Sequence, residues 1–232
     1  MEDYKHVSEV IVDTLSLEYS PVAVKFLDRA DPVPPLARKP EKPLSGFCAG
    51  VEEAAKGVNL CLQRKDVACA FAQLILGFVQ ELPGINSEGK FPVKEIDSVV
   101  LSPISDFHGD ADAVLVYLDP EQAERFLEAL TYEQTRDEKG RKTVPSYPQC
   151  GAAFHCPAHL SVKVMAEQNM YMAFGRSRAN TLSDKLILGM PYSIFKRASE
   201  NLIESEKQVK PLVRERRYRP PNRGILKQLS RD

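Results

Sequence analysis

The first residues that could carry chemistry are three cysteines in one short, mostly apolar segment. Cys48, Cys61 and Cys69 have twelve and seven residues between successive members, so the C-x2-C spacing of zinc and ferredoxin-type sites is absent. Thiolates suit zinc, copper and iron-sulfur centres. Free cysteine is also among the most buried residue types. For each thiol taken singly, metal ligation and core packing therefore both stay open.

A second group of thiol and imidazole side chains lies in the segment CGAAFHCPAH. Its candidate ligands are Cys150, Cys156 and His159, and the last two are three residues apart, which would place them on one face of a helix. His155 beside Cys156 offers the only local pairing that could activate a thiol as a nucleophile. We expect the two cysteine groups to converge on one centre, either a transition metal or iron-sulfur cluster or a tetrapyrrole.

The segment FGRSRAN is a second candidate site, because it joins a glycine to two arginines. Gly175 ends a predicted strand, and Arg176 and Arg178 would lie on the same side of an extended chain. Guanidinium groups placed in this way can bind a carboxylate or a phosphate. These three residues are therefore candidates for binding a cofactor or a small anionic ligand, although solvated arginines at an ordinary strand exit fit the pattern equally well.

Composition limits the class of protein. A chain of 232 residues with 43% hydrophobic and 27% charged residues is typical of one folded domain. The formal net charge of -1 provides no overall field for nucleic acid, which is therefore not an expected partner. The chain has no apolar run long enough for a membrane span, and its start does not resemble a secretory signal. We expect a cytoplasmic location, where thiols stay reduced.

Hydrophobic periodicity predicts alternating helices and strands. The pattern indicates an α/β protein, with α+β as the alternative, in which helices pack on a mixed sheet. Helices are predicted at 3–17, 66–79 and about 192–209, with a further one starting at Pro120, and strands at 21–28, 95–104, 112–119 and 169–176. Asp66 is the candidate N-cap of the second helix. Residues 1–210 form the expected domain, followed by a basic extension, 211–232.

Several of these segments together resemble one prokaryotic family, known as domain of unknown function 169. They are PVAVKF, GFCAGVEEAAKG, DVACAFAQLILGF, GAAFHCPAH, GRSRA and LILGMPYSIF, spread over roughly residues 10 to 205. The resemblance implies a cytoplasmic archaeal or bacterial protein of a kind frequent in anaerobes. It also implies that Cys48 and Cys69 match the family's first two cysteines. Arg178 would match the arginine of a turn late in the family's sequence.

The late turn of this chain departs from the family's pattern. That pattern places a third cysteine in a GC-x-G-x-R turn, where this chain has Phe174 followed by Gly-Arg-Ser-Arg. If the family's thiols bind a metal, the resemblance implies that this member has lost one ligand and would recruit Cys61, Cys150 or Cys156 instead. The resemblance names no reaction.

Three functions follow as hypotheses, and whether the protein is an enzyme stays open. The first is a metal centre, iron-sulfur cluster or tetrapyrrole held by thiols, with a redox-related role. The second is an enzyme or binding protein for a small anionic metabolite, in which Arg176 and Arg178 clamp the ligand. The third is a non-catalytic partner or assembly factor whose basic tail, 211–232, docks on an acidic protein.

Overall fold

A computed structural model describes residues 4–79, 81–83, 96–131, 146–147, 171–174 and 185–215. Its helices are α1 (Tyr4–Leu15), α2 (Phe47–Ala55), α3 (Ala70–Ile75), α4 (Pro120–Thr131) and α5 (Tyr192–Glu215). Its strands are β1 (Val22–Leu27), β2 (Leu60–Gln63), β3 (Ser98–Pro103), β4 (Ala113–Leu118), β5 (Ser146–Tyr147), β6 (Tyr171–Phe174) and β7 (Leu186–Met190). Two short 3-10 turns cover Arg64–Asp66 and Ile104–Asp106. None of the described helices is both long and apolar enough to cross a membrane.

The strands form one seven-stranded sheet in the order β2-β3-β1-β4-β7-β6-β5. The interior strand β1 pairs antiparallel with β3 and β4, so that Val24 lies opposite Leu101 on one side and Ala113 on the other. Strands β5 and β6 pair in parallel, whereas the other neighbours are antiparallel. The prediction of a mixed sheet is therefore confirmed.

Helices cover both faces of the sheet, because alternate residues of each strand point to opposite sides. Val22 and Val24 of β1 pack in one core cluster with residues of α2 and α3. Ala23 and Leu27 of the same strand pack in a second cluster with α1, α4 and α5. The result is a three-layer α/β/α arrangement, which agrees with the predicted α/β class.

The helix periodicity was informative at both ends of the described chain. α1 buries one stripe that includes Tyr4, Val7, Ile11 and Leu15, as its three- and four-residue spacing predicts. α5 begins at the predicted position and continues to Glu215, into the first residues of the expected basic extension. Residues 216–232 lie outside the described part, so a docking role for the tail stays a prediction.

One predicted helix and its cap need correction. The helix expected at 66–79 is shorter, since α3 spans only Ala70–Ile75 and its N-cap is Cys69. Asp66 instead ends the 3-10 turn that precedes it. A glycine with positive φ follows each of the two helices α2 and α3. Gly57 after α2 has φ of 103° and Gly77 after α3 has φ of 81°, values that only glycine adopts without strain.

Candidate functional site

Two loop segments run side by side into α2 and α3, and this pairing builds the candidate site. Leu44 and Val67 form a parallel β-bridge. The Leu44 amide donates to the Asp66 carbonyl oxygen at 2.8 Å, and the Ala68 amide donates to the Leu44 carbonyl oxygen at 2.9 Å. Because the segments are parallel and each leads into a helix, α2 and α3 begin next to each other.

This pairing brings Cys48 and Cys69 to the same end of the helical layer. Cys69 is the N-cap of α3, and Cys48 lies in the first turn of α2, two residues after its N-cap Gly46. A Cβ atom placed on Gly46 would lie 3.4 Å from Cys69 Cβ. The Cα atom of Cys48 can be no more than about 7.6 Å from that of Gly46. Both residues are partly exposed, and Cys69 also packs against the core cluster between α2, α3 and the sheet.

The cap position of Cys69 is unusual in its chemistry. Oxygen-bearing side chains are preferred at an N-cap because they accept hydrogen bonds from the first amides of the helix. Cys69 makes no such side-chain cap bond, and neither does Gly46 at the start of α2. The Cys69 side chain therefore does not cap α3.

Cys61 lies on the other face of the sheet and does not join these two thiols. It sits in β2 opposite Val100 of β3 and packs in the cluster that contains α1, α4 and α5. It is only 2% exposed, and this burial raises the pKa of its thiol, an effect that a hydrogen bond with Ser98 partly offsets. A thiol that stays protonated in the core is a poor metal ligand. The three early cysteines therefore do not form one ligand set.

A close approach of α2 to the sheet fixes the position of its thiol. A Cβ atom on Gly50 would lie 2.9 Å from Leu62 Cδ1 and 3.1 Å from Leu101 Cδ1. Only a residue without a side chain allows this spacing without displacement of those leucines. Gly46 and Gly50 are four residues apart in the sequence. This spacing is a signal that one end of α2 packs closely against its neighbours, and the sequence interpretation did not use it.

The loop that presents Cys69 is held by two side chains at its ends. The carboxylate of Asp66, only 7% exposed, accepts a hydrogen bond from the Gln63 amide at 2.9 Å within a reciprocal capping box. Gln73 Nε2 donates to the carbonyl oxygens of Val67 at 2.6 Å and of Arg64 at 3.2 Å. The backbone from 63 to 68 is therefore fixed from both sides.

Asp66→Ala is expected to lower the free energy of unfolding by about 1–2 kcal/mol, because the variant loses a buried cap bond. Chemical denaturation measures this loss. Asp110→Ala, at an exposed aspartate, is the control and should change stability by less than about 0.5 kcal/mol. Equal stability of the two variants would show that the Asp66 carboxylate does not hold the loop.

The other candidate residues lie outside the described part of the chain. They are Cys150, Cys156, His159, Gly175, Arg176 and Arg178. Of the strand predicted at 169–176, the structure describes β6, Tyr171–Phe174, and the rest lies outside the described residues. Within the described ranges, no three His, Cys, Asp or Glu side chains are grouped closely enough to hold a metal ion. Cys48 and Cys69 would therefore need ligands from elsewhere in the chain to complete a metal site.

Comparisons with known proteins place the chain in a family without supplying a reaction. No curated protein matches the sequence significantly. No solved structure matches it either. The sequence profile of domain of unknown function 169, described as uncharacterised ArCR, matches residues 10–91 and 84–201. These matches cover most of the chain and include both halves of the sheet, so the chain belongs to the domain of unknown function 169 family.

Proposed function

We propose that the protein holds a soft transition-metal centre, for which an iron-sulfur cluster is the favoured form, with Cys48 and Cys69 as two of its ligands. The observation that supports this most is the placement of two accessible thiols at the adjacent starts of α2 and α3. Thiolate sulfur prefers zinc, copper and iron-sulfur centres over hard cations. A reducing compartment keeps such thiols available, so the proposal includes a cytoplasmic location.

A complete centre needs more than two protein ligands. Structural zinc sites and iron-sulfur clusters usually have four, most of them cysteine. The second cysteine group offers the missing donors, and we assign Cys150, Cys156 and His159 to that role. Cys61 is excluded, because its sulfur lies in the core on the opposite face of the sheet.

Differential alkylation of the thiols tests the proposal. The reduced protein, freed of metal with a chelator, is treated with iodoacetamide at neutral pH with and without Zn²⁺, and each cysteine is followed by peptide mass spectrometry. We expect Zn²⁺ to slow alkylation of Cys48 and Cys69 by more than about tenfold, because a metal-bound sulfur is no longer a free nucleophile.

Cys61 is the internal control for this experiment. It should react slowly with or without Zn²⁺, because it is buried and its thiol pKa is raised. Since the thiolate is the reactive form and the pKa of this thiol is raised, its alkylation rate should still be rising with pH at the ordinary thiol pKa of 9.0, where the rate of an unshifted thiol begins to level off. Equal alkylation of Cys48 and Cys69 with and without the metal would contradict the proposal.

A further inference from the structure

An open pocket of about 530 Å³ lies beside the loop that leads to Cys69. It is a surface groove rather than an enclosed cavity, so one side of a bound ligand would stay in solvent. The described residues that line the pocket are Pro43, Gln63, Arg64, Lys65, Val67, Ala68, Gln73 and Asp97. Two cations and two amides therefore face one space, with a single carboxylate among them.

Among the side chains that the structure describes, the two cations of this pocket have no ion-pair partner. Arg64 and Lys65 are exposed, and within the described ranges neither forms an ion pair. Lys39 adds a third cation, because its Nζ donates to Gln63 Oε1 at 3.1 Å. Asp97 accepts from Gln63 Nε2 at 3.3 Å, and this is the one acid on the described wall. The described wall of the pocket therefore carries more positive than negative charge, in a protein whose net charge is -1.

The backbone of the wall that carries Arg64 and Lys65 is held by hydrogen bonds. Both residues belong to the 3-10 turn capped by the buried carboxylate of Asp66. The Arg64 carbonyl oxygen also accepts a hydrogen bond from Gln73 Nε2 at 3.2 Å, which ties the turn to α3. Because the backbone is already ordered, only the two side chains would lose conformational entropy when a ligand binds.

We infer that this pocket binds a small organic anion through a carboxylate or phosphate group. The guanidinium of Arg64 can donate two parallel hydrogen bonds to such a group, and the Lys65 ammonium adds a point charge. Gln63 and Asp97 would contact the polar remainder of the ligand. Ala68 lines the pocket and is the neighbour of Cys69 in the chain, so the bound anion would lie next to the thiol site. The pocket does not require a metal, and the inference stands apart from the proposed function.

Isothermal titration with two probes tests this inference at constant ionic strength. Pyrophosphate represents phosphate chemistry and succinate represents carboxylate chemistry. We expect at least one probe to bind the wild-type protein, and Arg64→Ala to raise its Kd by about 10- to 100-fold, because a charged hydrogen-bond pair is lost. The probe that binds more tightly identifies the oxyanion that the pocket prefers.

Arg29→Ala is the matched control, since it removes an exposed arginine from a loop whose residues do not line the pocket. It should change Kd by less than about twofold. Thermal unfolding of both variants should match the wild-type protein, because both side chains are exposed. Absence of binding by both probes at millimolar concentration, or an equal loss in the two variants, would overturn the inference.

Discussion

Replacing Phe47 with alanine is expected to lower the free energy of unfolding by about 3–5 kcal/mol. Phe47 is the first residue of α2, is fully buried, and packs in the cluster between α2, α3 and the sheet. Removing its ring leaves a cavity. α2 cannot move towards the sheet to fill it, because the helix already lies close to Leu62 and Leu101 at Gly50. Equilibrium denaturation measures the loss.

Phe71→Ala is the control for this variant, because it deletes the same ring from α3 at a position that is 43% exposed. It should cost less than about 1 kcal/mol. Both variants delete the same phenyl ring, so they differ only in how deeply that ring is buried. If they lost similar stability, the layer formed by α2 and α3 would not be packed on the sheet as the structure has it.

Removing both accessible thiols is expected to weaken metal binding by more than about 100-fold. The variant is Cys48→Ala combined with Cys69→Ala, and the readout is the thiolate-to-cobalt charge-transfer absorption during an anaerobic Co²⁺ titration. Loss of two residues that bind the metal directly should weaken metal affinity by more than the 10- to 100-fold that is typical when a residue contacting only the ligands is replaced. Both positions are half-buried, so the variant should stay folded.

Cys61→Ala is the control for the thiol variant, because it deletes the same atom on the opposite face of the sheet. It should keep the charge-transfer absorption and the cobalt affinity of the wild-type protein, at a modest cost in stability. If Cys61→Ala lost the absorption and the double variant kept it, Cys61 would be a metal ligand and Cys48 and Cys69 would not.

Much of the fold could be predicted from local pattern. α1 and α5 have one apolar stripe each, so their helical periodicity identifies them. β1, β3 and β4 are apolar runs rich in branched residues, a composition that favours strands. β2 was not predicted, because a strand of four residues is too short to show alternation. β7 was not predicted either, since its segment LILGM is a short apolar run without a period.

The site was only partly predictable, for reasons that lie beyond local sequence. Whether Cys61 faces the α2 and α3 layer or the opposite layer depends on the register of β2 against β3, and a shift of one residue would reverse it. The proximity of Cys48 and Cys69 depends on the bridge between Leu44 and Val67, which joins two loops without a helix or strand pattern. Resemblance to the family did single out these two thiols before the geometry did.

The central claim is that Cys48 and Cys69 hold a soft metal centre, and the most direct test is the elemental content of the protein purified without oxygen. The wild-type protein is expected to contain iron or zinc in stoichiometric amount, with visible absorption if the centre is an iron-sulfur cluster. A fully folded wild-type protein that contains no transition metal and is colourless would contradict the claim.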